Sequence, residues 1–181
     1  MLDYNYSKKE IKQLIDSMVV LIDTREQKNE YITKALDKKG IEYKNKSLRY
    51  GDYSFLLPEN EDLGISKEIS FANEIVIERK GSGNTGLDEL AGNLTQGRTE
   101  FQNELIKAAG DGCDFYLMIE DGNWRMLRDG VYESQYNSKS FIASLKAYEA
   151  RWGVRVNFVD SNLSAWWVYH TFKYYLREYL L

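Results

Sequence analysis

The sequence predicts an α/β domain, a sheet with helices on both faces, and three observations carry that prediction. The runs Met18–Ile22 and Asp114–Ile119 are almost continuously apolar, as strands covered on both sides are. Other stretches place apolar residues at helical spacing, as in Ile11, Leu14 and Ile15. Strands come early and then alternate with helices, the order that layers helices over a sheet.

Taken in order, Ser7–Ser17 reads as a helix, capped by Ser7 with Glu10 three residues on. Met18–Ile22 is a strand that Asp23 terminates, and Asn29–Lys39 is a helix stopped by Gly40. Ile41–Ser47 and Tyr53–Leu57 read as strands around the corner Arg49-Tyr50-Gly51-Asp52. Pro58–Asn73 is polar and aperiodic and reads as an exposed loop, followed by a strand over Glu74–Lys80. Leu87–Ala109 reads as a long helix that Gly92 and Gly97 bend or split. After the strand Asp114–Ile119, an Asp121-Gly122 turn leads to Trp124–Leu127, expected to be an edge strand or hairpin arm. Ser138–Trp152 is helical, Val154–Val159 alternates as a half-buried strand, and Asn162–Leu181 is a final aromatic-rich helix.

A length of 181 residues fits one domain spanning residues 1–181 with a proper core. With 43% apolar and 29% charged residues, composition is that of a globular protein. The single cysteine, Cys113, excludes an internal disulfide and suits a reducing compartment. No run approaches the roughly 18 apolar residues of a membrane span, and Met1–Lys9 lacks a signal-peptide pattern. The expectation is a soluble, cytoplasmic protein with no membrane partner. A net charge of −4 and a pI near 5.2 argue against a general DNA-coating protein. Clustered carboxylates that bind cations would hide local sign within that average.

Three short charged segments end apolar runs: Asp23-Thr24-Arg25-Glu26, Gly51-Asp52-Tyr53 and Glu78-Arg79-Lys80. Packing explains charge at such places badly. In the last segment Glu78 and Lys80 share one strand face, because side chains alternate with a period of two, and their backbones lie roughly 7 Å apart. An aspartate from a neighbouring strand would complete a divalent-cation pocket with an ammonium beside it, the groups needed to cut a phosphodiester. Taken alone, Glu78-Arg79-Lys80 reads as a solvated strand end; Asp23, Asp52 and the resemblance described next together reverse that reading.

The succession Leu21–Glu26, Gly51–Tyr53, Val76–Lys80, then Leu90–Arg98 and the strand Phe115–Ile119, resembles the nuclease domain of the XPF-type structure-specific endonucleases. That family is a branch of the restriction-endonuclease-like superfamily with a PD-(D/E)xK core. The resemblance covers roughly residues 18–160. It implies a restriction-endonuclease-like central mixed sheet flanked by helices, and a Mg²⁺- or Mn²⁺-dependent DNA endonuclease. Asp52 and Glu78 would be the metal ligands, with Asp23 joining them or holding water, and Lys80 would orient the attacking water. Arg79 belongs to the same catalytic set. Arg25, Arg79 and Arg98 would hold phosphate or lock the carboxylates, with Glu26 in support. Gly51 would permit the sharp approach to Asp52, and Tyr53 would support it from beneath.

The chain departs from the family pattern by inserting Gly81–Gly86 after Lys80 and by offering either Asp88 or Glu89 where the family has one aspartate. A compact phage- or bacterial-like version, without the tandem helix-hairpin-helix module that many relatives carry, is expected from a sequence that ends at Leu181. The expected substrate is branched or flap DNA in repair, replication or recombination. The alternatives are a junction resolvase or general nuclease on the same core, or a silent DNA-binding or scaffolding subunit.

Gly81-Ser82-Gly83-Asn84-Thr85-Gly86 matches a dinucleotide fingerprint in form only: the strand before it ends in Glu-Arg-Lys and no acidic residue follows at the required distance. It reads as a flexible loop whose amides could touch a DNA phosphate, and no nucleotide cofactor is expected. His170, the sole histidine, reads as a packed or surface helix residue among Trp166, Trp167, Tyr169 and Phe172. The final helix is apolar most of the way round, more than a lone surface helix needs, and a homodimer interface is expected there.

Overall fold

The computed structural model describes residues 5–81 and 85–181. In chain order the elements are α1 (Lys8–Asp16), β1 (Val19–Ile22), α2 (Glu30–Lys38), β2 (Tyr43–Asn45), β3 (Tyr53–Leu57), β4 (Ile69–Ser70) and β5 (Ile75–Lys80). Then come α3 (Gly86–Leu94), α4 (Arg98–Gly110), β6 (Asp114–Glu120), α5 (Trp124–Asp129), α6 (Ser138–Trp152), β7 (Arg155–Val159) and α7 (Ser164–Tyr179). The strands form one mixed sheet in the order β2-β1-β3-β5-β6-β7, with β4 paired to β3. β1 runs parallel to β2 and antiparallel to β3, β3 is antiparallel to β5, and β5, β6 and β7 are mutually parallel.

Alternation along the strands sends each set of side chains to one of two cores. Ile75 and Ile77 of β5 pack with Val20, Ile22, Tyr53, Phe55 and Met118 under α1, α2 and α7. Val76, the residue between them, packs with Leu87, Leu90, Phe101, Leu105, Leu117 and Phe141 under α3, α4 and α6. On that second face, among the described residues, the cluster over the β1–β3 half of the sheet includes no helix residue. Val19, Leu21 and Leu56 are covered instead by Leu48 and Ala72 from connecting segments. The helical layer therefore ends above β5, at the point where the charged segments meet.

Local chemistry sets the element boundaries. The Ser7 capping box closes in full at α1, Ser7 Oγ accepting from the Glu10 amide and the Glu10 carboxylate accepting from the Ser7 amide. The long helix expected over Leu87–Ala109 is two, split across Thr95–Gly97 into α3 and α4. Two readings are corrected. Trp124–Leu127 is not a strand but the start of α5, because Asn123 Oδ1 accepts from the Met126 amide at 2.9 Å and Gly130 ends the helix in the left-handed region. The Pro58–Asn73 segment is not wholly exposed: it contains β4 and buries Leu63, Ile65 and Phe71, whose ring stacks on Phe55 at 4.4 Å. An aperiodic sequence still anchors itself when one aromatic finds a partner across the sheet. Of the Gly81–Gly86 loop reading, Ser82, Gly83 and Asn84 lie outside the described residues.

Candidate active site

The Asp52 corner is built from backbone first. Gly51 adopts φ +62°, and a Cβ there would lie 3.0 Å from both the Ile77 carbonyl oxygen and the Val76 Cβ, so only glycine lets the turn press onto β5. The Asp52 amide donates to Ile77 O at 2.8 Å, and its carbonyl accepts from the Asp23 amide at 2.7 Å. Its side chain accepts from the Arg79 amide at 2.7 Å. Asp52 is thereby fixed to both neighbouring strands.

Glu78 and Lys80 point to the α3/α4 face, as their spacing requires. Lys80 Nζ lies 2.5 Å from Glu78 Oε1, 3.6 Å from Glu89 Oε1 and 5.4 Å from the Phe101 ring centre. Both side chains are buried. Burial alone would lower the Lys80 pKa, but Glu78, Glu89 and Asp52 outweigh it and hold the ammonium charged. Burial pushes the Asp52 carboxyl well above the usual carboxylate range, and the charges of Glu78 and Glu26 push it further.

Glu104, on α4, is a residue that sequence reasoning missed. Its Oε1 accepts from the Gly51 amide at 2.8 Å. Burial, then Glu78, raises its pKa. A signal existed: Phe101, Leu105 and Ala108 form the buried stripe of α4, and Glu104 sits on that stripe at i+3 from Phe101.

Arg79 points the other way, into the α2/α7 face. Its guanidinium is buried, with Nε 2.5 Å from Glu26 Oε1 and one terminal nitrogen 3.0 Å from Glu120 Oε2. The Gln27 carbonyl accepts from it at 3.0 Å and the Tyr31 hydroxyl at 3.1 Å. Tyr53 donates to Glu26 at 3.0 Å, while Tyr31 and Ser164 both donate to Glu120. Glu120 and Tyr31 were also missed; Glu120 closes the apolar run of β6 as Asp23 follows that of β1.

The remaining predicted residues divide. Asp23 adjoins Asp52 through the backbone, but its carboxylate is taken up by Arg25 Nε at 2.7 Å, the Arg25 amide at 2.8 Å and the Leu48 amide at 2.6 Å. Burial would raise its pKa, yet the hydrogen bonds from Arg25 and Leu48 win and hold it below the usual value. Arg25 leaves 70% of its side chain exposed. Glu89 lies beside Lys80 and accepts from the Gly81 amide at 3.0 Å. Asp88 turns away and accepts from the amides of Glu133 and Ser134 at 2.7 and 3.2 Å. Arg98 is exposed at the start of α4, with no ion pair among the described residues.

Glu78 and Glu89 thus pair with the Lys80 ammonium, while Asp52 on the Arg79 amide and Glu104 on the Gly51 amide add two further carboxylates at the same corner. Among the described residues no three metal-ligating side chains stand close enough to cage an ion. The oxygen-only donor set and the crowding of negative charge nevertheless fit a hard divalent cation of the Mg²⁺ type, which takes one or two carboxylates and keeps several waters. His170 is remote from this group, stacked on Trp166 with ring centres 4.4 Å apart.

Comparison with known proteins agrees with this fold. Two solved structures of XPF from Aeropyrum pernix share the fold. One matches with a TM-score of 0.61 and 20% identity. The other, solved as a complex with DNA, matches at 0.60 and 18%. Each alignment covers 88% of this chain and 65% of the other, so the chain spans about two thirds of the length of those structures. A search of curated proteins finds no match. Residues 22–171, which carry every charged segment described above, match the family model of the ERCC4 domain, and the chain belongs to that family.

Proposed function

We propose that this chain is a divalent-metal-dependent DNA endonuclease that hydrolyses phosphodiester bonds in branched or flap DNA, in repair, replication or recombination. The observation that supports the reading is that Lys80 pairs with Glu78 on one face of β5, while the Asp52 carboxylate is held by the amide of Arg79, the residue between them. Membership of the ERCC4 domain family supports it, as does likeness to a protein solved in complex with DNA.

Asp52 and Glu78 would hold Mg²⁺ or Mn²⁺, which supplies Lewis-acid polarisation and counter-charge for the scissile phosphate. The other parts belong to the chain. Lys80, kept protonated by its carboxylate neighbours, presents N–H donors to the attacking water and stabilises negative charge as it develops on the phosphoryl oxygens. The Arg79 amide and the Ile77 carbonyl hold Asp52 still while this happens. Arg25 and Arg98, both exposed, would neutralise flanking phosphates and set the strand's register. Pairing of two copies through α7 completes the reading, since Trp166 and Tyr174 remain exposed beside a cavity of about 700 Å³.

The test is incubation of labelled duplex, flap, fork and four-way junction DNA with Mg²⁺, Mn²⁺ or chelator. Cutting of the branched substrates that needs the cation and vanishes in Lys80→Ala is the expected result. Tight junction binding without cutting under either metal would leave a scaffolding subunit instead.

A further inference from the structure

The corner that carries Asp52 is tied to α4 by two acidic side chains on one face of that helix. At one end the Asp111 carboxylate, at the C-cap of α4, accepts from the Tyr50 hydroxyl and pairs with Arg49 at 2.7 Å. Two helical turns earlier, Glu104 accepts from the Gly51 amide. Gly51 is the left-handed residue that sends the chain into Asp52, and its amide has no place in the sheet ladder. Without an acceptor there, the turn would be held only by contacts at its two ends.

We propose that Glu104 is a positioning residue: α4 presents its carboxylate as the acceptor for the Gly51 amide, and this fixes where the Asp52 carboxylate stands relative to Glu78 and Lys80. Asp52 reaches β5 through hydrogen bonds to the Ile77 carbonyl and the Arg79 amide. Those bonds constrain Asp52 only if the turn before it has one conformation, and Glu104 selects that conformation. The break at Thr95–Gly97 makes α4 a helix separate from α3, and it is α4 that carries Glu104 to the Gly51 amide. The inference deepens the nuclease reading and rests on it only where cation binding is concerned.

Two variants separate the hydrogen bond from the charge. Glu104→Leu fills the same space without an acceptor, whereas Glu104→Gln keeps a carbonyl acceptor and drops the charge. Two readouts are followed, hydrogen exchange of the Gly51 and Asp52 amides and Mn²⁺ affinity by titration calorimetry. In Glu104→Leu, exchange at Gly51 should rise by about tenfold or more, the loss of one hydrogen bond to a charged group. Mn²⁺ affinity should fall by about 10–100-fold, as when a group supporting a metal ligand is removed. Glu104→Gln should restore both towards wild type. Unchanged Gly51 exchange in Glu104→Leu overturns the proposal. So does Mn²⁺ binding as weak in Glu104→Gln as in Glu104→Leu, because the charge and not the hydrogen bond would then matter. If the wild type itself binds no Mn²⁺, the nuclease reading falls, and amide exchange alone still decides the role of Glu104.

Discussion

The two faces of the sheet at the end of β5 carry the same residue types and use them in opposite ways. On the α2/α7 face Arg79 lies between Glu26 and Glu120, with Tyr53, Tyr31 and Ser164 donating to the same carboxylates. Every charge there has a partner inside the protein. On the α3/α4 face the Lys80 ammonium is shared by Glu78 and Glu89, and burial followed by repulsion from Glu78 raises both Asp52 and Glu104. A closed network holds a strand in place, whereas an open and unbalanced one is prepared for something from outside. Adjacent residues of one triplet, Arg79 and Lys80, fall on opposite sides of that divide because a strand alternates.

The largest expected effect breaks the closed side. Arg79→Ala strands two buried carboxylates and should cost about 3–5 kcal/mol of stability, read by urea unfolding. A cost no larger than that of a surface substitution would show that the network is not closed. Asp52→Asn should do the reverse. It keeps an acceptor for the Arg79 amide and relieves repulsion, so the metal-free melting temperature should hold or rise while cutting falls by about a hundredfold or more. Loss of stability in Asp52→Asn would remove the contrast between the faces.

Asp23 sharpens the comparison, since it lies beside the open site yet belongs to the satisfied kind. Its folded pKa is depressed, so its contribution is fully present above the unfolded value of about 3.9 and is lost as pH falls through the folded value. Unfolding measured from pH 7 down to pH 3 should therefore show a steeper acid loss in wild type than in Asp23→Asn. At pH 7 Asp23→Ala, which removes the acceptor for the Leu48 amide, should cost about 1–3 kcal/mol. The smallest effect is expected from Arg98→Ala. As a phosphate contact on an exposed helix end, its loss should weaken DNA binding about equally across substrates and reduce the salt slope by about one. Selective loss for one DNA structure would instead assign Arg98 to shape recognition.

Much of this was legible in the residues. Runs such as Met18–Ile22 and Asp114–Ile119 identified buried strands because both faces of the sheet are covered there. The Glu-x-Lys spacing foretold the shared face of Glu78 and Lys80, since it depends only on strand geometry. What could not be read depends on contacts across the fold. Glu104 lies on the buried stripe of α4, but its partner, the Gly51 amide, is 53 residues away in sequence, a contact that no local pattern encodes. Asp23 carried the same promise in sequence as Asp52, but Leu48 and Arg25 claim its oxygens. Glu89 and Asp88 were indistinguishable until α3 was placed, when one turned to Lys80 and the other to the Glu133–Ser134 amides. Trp124–Leu127 was misread because apolar content outweighed the Asn123 and Gly130 caps.

The most direct test is the melting temperature of wild type and Asp52→Asn, each with and without saturating Mn²⁺. A ligand that binds the folded state raises its stability by mass action. The account predicts a clear rise for the wild type and little or none for Asp52→Asn. An equal rise in both, or none in the wild type, would contradict a cation site built on Asp52 and Glu78.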